Sequence, residues 1–169
     1  RRRPERTHAY DSIRGYAELR AQIARRLLDA GCTVEADEII TTNGARHALY
    51  LSLLAVTRPG DTVLVETPTY SGFLLVMEAL GLRALEVATD PRTGICQESV
   101  AAALGRHRVA ACLLVPTFGN PLGHCMPESN RRELAETLAG AGVPLIEDEV
   151  YAELAFSGRR PAAVKAFDR

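Results

Sequence analysis

Lysine is almost missing from this chain: Lys165 stands alone, and arginines supply the other nineteen of the twenty positive charges. That skew reads as a coding bias rather than as chemistry. The four cysteines, Cys32, Cys96, Cys112 and Cys125, form no C-x-x-C pair. This excludes a zinc knuckle and a dithiol redox motif and leaves them as reduced, mostly packed side chains. No apolar run reaches the roughly 18 residues that span a bilayer, and the arginine-rich start lacks the apolar stretch of a signal peptide. The cytoplasm is therefore the expected location. Neither G-x-G-x-x-G nor G-x-x-x-x-G-K-[ST] occurs, which disfavours a dinucleotide or Walker-type phosphate site. With a net charge of -1, bulk electrostatics favours neither nucleic acid nor an anionic membrane.

What is present describes a folded globular chain. Of 169 residues, 47% are hydrophobic and 24% charged, an ordinary balance that excludes disorder. The length suits one domain or part of a larger one. Arg1-Arg-Arg-Pro-Glu-Arg6 is basic and polar; it reads as a solvated connector, with a contact to nucleic acid as the alternative. Residues 16–30 carry Leu19, Ile23, Leu27 and Leu28 at helical spacing, and Gly31 supplies a stop. The expected organisation is a linker tail and N-terminal helical segment over 1–30, followed by one body over 31–169.

Along that body, residues 39–42 read as a short strand, and Asn43-Gly44 turns into an apolar helix over 45–56. Residues 62–66 form a buried strand, 72–80 a helix and 82–87 a further strand. Asp90-Pro-Arg-Thr-Gly94 is a turn, and 97–104 a short helix. Residues 109–115 are the most continuously apolar, which suits a central parallel strand buried on both faces. Pro127 opens a helix to 141 with Leu134, Ala135, Leu138 and Ala141 on its buried side, Gly142 stops it, and 143–148 is the last strand. The alternation from 39 to 148 predicts an α/β fold, a mostly parallel sheet flanked by helices on both faces. Such sheets host many reactions, so the pattern names none.

Four places carry chemistry. Asn43-Gly44-Ala45-Arg46 sits where the chain enters a helix, with free amides and the positive dipole end; it is an anion site or an ordinary helix start. Tyr70, in a Pro-containing loop after a strand, is placed to lie against a planar ligand or simply to pack. Asp148 ends the last strand and Tyr151 follows three residues on; they address one ligand, or Asp148 caps the next turn. Val115-Pro-Thr-Phe-Gly-Asn-Pro-Leu-Gly123 is a polar loop leaving a buried strand at its carboxyl end, where open parallel sheets bind ligands.

In combination, Thr42-Asn-Gly-Ala-Arg-His-Ala-Leu49, Glu66-Thr-Pro-Thr-Tyr-Ser-Gly72, Pro116-Thr-Phe-Gly-Asn-Pro-Leu-Gly123 and Ile146-Glu-Asp-Glu-Val-Tyr151 resemble the large domain of fold-type-I pyridoxal-phosphate aminotransferases. Tyr10 and Gly15, before Leu19-Arg20, resemble the start of the same domain, so the likeness covers nearly the whole chain. Within that family, Asn120-Pro-Leu-Gly-His-Cys-Met-Pro127 and residues 156–169 look most like the aminotransferase-like domain of MocR-type regulators of the GntR family.

The resemblance implies a pyridoxal 5'-phosphate site. Gly44, Ala45 and Arg46 would hold the phosphate and Tyr70 would stack on the ring. Asp148 would face the pyridine nitrogen, while Asn120 and Tyr151 would donate to the phenolic oxygen. Substrate contacts are implied at Gly15 and Asn120, and a cis Asn120–Pro121 bond is common in such proteins. The implied partners are an amino acid or 2-oxo acid and a second copy of the chain, since family members dimerise with sites at the subunit boundary. DNA would be met only through a winged helix-turn-helix upstream, with Arg1 to Arg6 as the end of the linker.

The pattern is incomplete. The family's aldimine lysine lies in a Ser-x-x-Lys segment, and Ala162-Ala-Val-Lys-Ala-Phe-Asp168 lacks that signature. Lys165 is therefore expected at the surface, the aldimine lysine beyond Arg169, and the 169 residues by themselves inactive, a truncated large domain. Arg46-His47 stands where many relatives carry Gln or Lys, and His47 reads as a helix-face residue. The alternatives are a stand-alone aminotransferase exchanging amino groups between an amino acid and a 2-oxo acid, and an α/β scaffold that has lost its cofactor.

Overall fold

The computed structural model describes residues 12–156, 158 and 160–168; the basic start and Tyr10 lie outside them. Helix α1 spans Ala17–Leu28 and α2 Ala45–Val56. Strand β1 (Thr62–Thr67), helix α3 (Ser71–Ala79) and strand β2 (Arg83–Asp90) follow. A short strand β3 (Gly94–Ile95) leads into α4 (Gln97–Arg106) and β4 (Ala111–Leu114). Helix α5 (Glu128–Ala141) and β5 (Leu145–Glu147) complete the sequence, and single helical turns occupy Ala36–Glu38, Ala152–Leu154 and Val164–Phe167.

The sheet order is β3-β2-β1-β4-β5. The pairs β1–β2, β1–β4 and β4–β5 are parallel, and β2–β3 is antiparallel. That last pair is a hairpin closed by the expected turn, in which the Asp90 carboxylate accepts from the amides of Arg92 (2.7 Å) and Thr93 (3.2 Å). Strand order reverses between β1 and β4, so the crevice beyond their carboxyl ends is a topological switch point.

Side chains alternate across a strand, and a central strand covered on both faces must be apolar at every position. Val63, Val65, Ala111, Leu113 and Val115 pack with Leu49 and Leu53 of α2 and Phe73, Val76 and Met77 of α3. On the opposite face Leu64, Cys112 and Leu114 pack with Val100 of α4 and Leu134 and Leu138 of α5. Each Val, Leu, Phe or Met among them contributes roughly 1.5–3 kcal/mol by leaving water. Of the cysteines, Cys32 and Cys112 are buried and Cys96 and Cys125 partly so, all as free thiols.

Three local expectations are corrected. Residues 39–42 form no strand: the run is β-branched and apolar, but it meets no sheet edge. The Thr41 amide donates instead to the Arg14 carbonyl (3.0 Å), and Ile40 is exposed. In α1, Leu19 and Leu28 are exposed and the buried side chain is Arg20, which donates to the carbonyls of Gly15 (3.2 Å) and Ala36 and to Asp37. In α5, Ala141 is exposed while Arg131 is buried beside Leu134 and Leu138. Gly142 does stop α5, in the left-handed conformation (φ 66°).

The C-terminal stretch closes on the rest of the chain. Ala163 donates its amide to the Ala30 carbonyl (2.9 Å), and these two residues form a small core with Cys32. Glu147 accepts from the amides of Val164 (2.7 Å) and Lys165 (3.1 Å). Burial pushes the Glu147 carboxyl up to about 7, against an ordinary value near 4.5. An acid raised on folding favours the folded state while it is protonated. Its contribution is complete below the unfolded value and is lost as pH rises through the folded one.

Two outcomes are expected of the full-length gene product. Leu64→Ala should lower stability to urea by about 2–5 kcal/mol; a loss below about 1 kcal/mol would contradict the central position of β1. Between pH 4.5 and about 7, the melting temperature of Glu147→Gln should fall less than that of the wild type. Parallel profiles would show that Glu147 does not carry this pH dependence.

Candidate functional site

Three chain segments leave the carboxyl ends of neighbouring strands and meet at the switch point. The one after β1 carries Tyr70, the one after β4 carries Asn120, and the one after β5 carries Asp148 and Tyr151. Together with Ala45 and Arg46 from the start of α2, these side chains line a cavity of about 130 Å³ whose apolar wall includes Leu49, Phe73 and Val115. Of the residues singled out from the sequence, six converge here. Gly44 adjoins them as the residue preceding α2. Gly15 does not line the cavity; its φ is 91°, and a Cβ there would meet the Thr41 side chain.

The helix-start corner of the cavity is shaped by Gly44. Its φ of 88° turns the chain into α2, no side chain caps that end, and open space lies where a Cβ would stand. An uncapped helix start presents backbone N–H groups and a positive dipole end. Arg46 adds a guanidinium that donates to the Tyr70 hydroxyl (3.0 Å). The Tyr70 ring meets Phe73 edge-on with centroids 5.6 Å apart. Gly72 leaves room for that ring, since a Cβ there would sit 2.2 Å from a Tyr70 ring carbon.

The Asn120 loop is a tight excursion pinned at its base. Thr117 and Cys125 form an isolated bridge, and Met126 donates to the Pro116 carbonyl (2.9 Å). Nearer the tip, Gly119 donates to the His124 carbonyl (2.9 Å), and Phe118 takes a left-handed φ of 54°. The Asn120–Pro121 bond is cis, as is Thr67–Pro68. Past β5, the Asp148 amide donates to the Leu114 carbonyl (3.0 Å), which carries the strand register one residue further. The Asp148 carboxylate accepts from the Val150 amide (3.1 Å). Partial burial holds its pKa above the usual carboxylate range, with that amide opposing the shift.

Beneath these loops lie buried charges that pattern reading does not single out. Glu66, the last acid of an otherwise apolar strand, accepts from the Val115 amide (2.9 Å), and its other oxygen lies 3.0 Å from His124 Nε2. The His124 ring fills the space beside Gly119, where a Cβ would sit 2.2 Å from it. Arg131, 1% exposed, donates to the carbonyls of Met126 (2.8 Å) and Pro116 (2.9 Å) and to the Thr117 hydroxyl (2.9 Å). The only available signal was the acid inside the apolar run ending at Glu66; the partners lie far apart in sequence.

A larger groove of about 540 Å³ runs between α5, β5 and the C-terminal turn. Its lining is mainly apolar and shares no residue with the cavity at the switch point. Lys165 stands at this groove, largely exposed, with its ammonium paired to Asp168. The structure thus separates it from Asp148 and Tyr70.

The family model for aminotransferase class I and II matches residues 2–168. The HTH-type transcriptional regulator YdcR of Escherichia coli K12 is 46% identical over 155 residues, covering 92% of this chain and 33% of its own length. YjiR, a regulator of the same type from the same organism, is 40% identical over 159 residues, covering 94% and 34%. Among solved structures, LysN of Thermus thermophilus superposes with a TM-score of 0.84 at 30% identity, over 92% of this chain and 39% of that one. LysN is an alpha-aminoadipate aminotransferase, solved with N-(5'-phosphopyridoxyl)-L-leucine. The chain therefore spans about a third of the length of these regulators. On a match that runs from residue 2 to residue 168, the chain belongs to the aminotransferase class I and II family.

Proposed function

We propose that these residues form the cofactor-holding part of a pyridoxal-phosphate-dependent, aminotransferase-like domain in a MocR-type transcriptional regulator. The observation that carries this reading is the convergence of Arg46, Tyr70, Asn120, Asp148 and Tyr151 on one cavity beside an uncapped helix start. The donor set fits the cofactor. A helix N-terminus and a guanidinium suit a phosphate, and an aromatic face suits a planar ring. A partly buried carboxylate whose pKa is raised by desolvation suits a cationic partner that would offset that cost.

When bound, pyridoxal 5'-phosphate supplies a sink for the electrons of a bond breaking at a substrate Cα. The chain's residues make that sink effective. Asp148 would hold a proton on the pyridine nitrogen, and a cation at that place would offset the desolvation that raises the Asp148 pKa. Asn120 and Tyr151 would donate hydrogen bonds to the phenolic oxygen, stabilising negative charge there. Tyr70, its hydroxyl held by Arg46, would offer its face to the ring. Gly44, Ala45 and Arg46 would take the phosphate and so anchor the group. Asn120 would meet the substrate, an amino acid or 2-oxo acid, and a lysine outside these 169 residues would complete the chemistry. The working unit is a homodimer, and DNA is met through an upstream winged helix-turn-helix.

The higher identity to the two regulators than to LysN favours this reading over a stand-alone aminotransferase. The coding sequence upstream of Arg1 separates the two: a winged helix-turn-helix supports the regulator, a nearby start codon the enzyme.

Full-length protein supplied with pyridoxal 5'-phosphate should show a visible absorption band. Asp148→Ala should weaken cofactor binding about 10- to 100-fold, the loss of one charge-assisted hydrogen bond. A wild-type protein with no such band rejects the cofactor assignment.

A further inference from the structure

The two segments that would address the same cofactor oxygen come from different strands, and something must keep them in register. Asn120 sits at the tip of the loop after β4, and Tyr151 in the turn after β5. A direct side-chain bond joins the two segments: the Thr117 hydroxyl donates to Glu149 Oε1 (2.7 Å). Thr117 is fully buried, and its oxygen also accepts from Arg131 (2.9 Å). That guanidinium binds the carbonyls of Pro116 and Met126 at the two feet of the Asn120 loop and lies 3.7 Å from Glu149 Oε1. Glu149 is flanked in sequence by Asp148 and Val150, both at the cavity, and its second oxygen faces Arg160 at 3.9 Å.

A hydroxyl both donates and accepts, so it can stand between a cation and a carboxylate and satisfy each. In a dry interior this arrangement is geometrically demanding, because an unmatched charge there is costly.

We propose that Thr117 is a positioning residue, whose hydroxyl, relaying Arg131 to Glu149, fixes the Asn120 loop against the turn carrying Asp148 and Tyr151. The role rests on the cofactor reading above for its consequence, but the linkage itself belongs to the protein without cofactor.

The test compares Thr117→Val, which keeps the shape and removes the hydroxyl, with Thr117→Ser, which keeps the hydroxyl, in the full-length protein. In cofactor-free protein, amide hydrogen exchange of segments 115–126 and 147–154 should rise together in the valine variant and match the wild type in the serine variant. With cofactor bound, the pH midpoint of the visible band should move up by about 0.5–1 unit in the valine variant, because a phenolic oxygen with looser donors holds a neighbouring proton more tightly. Serine should restore it. A lower melting temperature with the 147–154 segment still protected and the midpoint unmoved would make Thr117 a packing residue and overturn the proposal. Where the valine variant does not fold, Thr117→Ala removes the hydroxyl without placing a methyl against Arg131 and is judged by the same two readings. Absence of any band in the wild type would overturn the cofactor reading instead, and the exchange comparison would still decide the linkage.

Discussion

A guanidinium taken out of water must find acceptors for its N–H groups, and Arg131 finds them for Nε and Nη2 at the base of the loop that carries Asn120, while its Nη1 faces Glu149 at 3.7 Å and Glu147 at 4.0 Å. Removing a charge from water costs several kcal/mol after relaxation. The carbonyls of Pro116 and Met126 and the hydroxyl of Thr117 offset that cost only if the loop returns to α5 in one particular path. The loop is thereby constrained from below, and a backbone that includes a left-handed Phe118 and a cis Asn120–Pro121 bond is held in place by what surrounds it. The pair of Glu66 and His124 constrains the same loop from the β1 side, through the Val115 amide and the space beside Gly119.

The sheet decides where this loop can act. Parallel order β2-β1-β4-β5 brings the ends of β1, β4 and β5 side by side, and reversal of strand order between β1 and β4 opens a crevice above them. Each strand end then offers its own groups: an aromatic face after β1, an amide after β4, a carboxylate and a phenol after β5. The start of α2, whose Leu49 and Leu53 are anchored in the same core as Val63 and Val65, brings backbone N–H groups to the cavity's edge. The site is thus assembled by core packing at a distance from it.

Much of this was legible in the linear text. Apolar runs at 62–66 and 109–115 mark strands that have no wet face, Asn43-Gly44 marks the entry to α2, and Asn120-Pro121 marks the loop beyond β4. Tyr70, Asp148 and Tyr151 were legible as candidates because each follows a strand end, and the resemblance of the four segments taken together singled out Asn120 beside them. The misreadings share one cause. Residues 39–42 have strand composition but no neighbour to pair with, and Leu19 and Leu28 have helical spacing while Arg20 is the side chain that α1 buries. Propensity and periodicity state what a segment prefers, and only its neighbours determine whether the preference is used.

Sequence alone determined the α/β alternation, the buried central strands and the residue types offered at each strand end, because these depend on interactions within a few residues. Tertiary structure decided which of them share a cavity and what holds them there. Glu66 against His124, Arg131 against Pro116 and Thr117 against Glu149 join residues from different strands, helices and loops. Such pairs form only after the sheet has set the distance between its strands, and the same low-dielectric interior that makes them costly to mismatch makes them specific once matched.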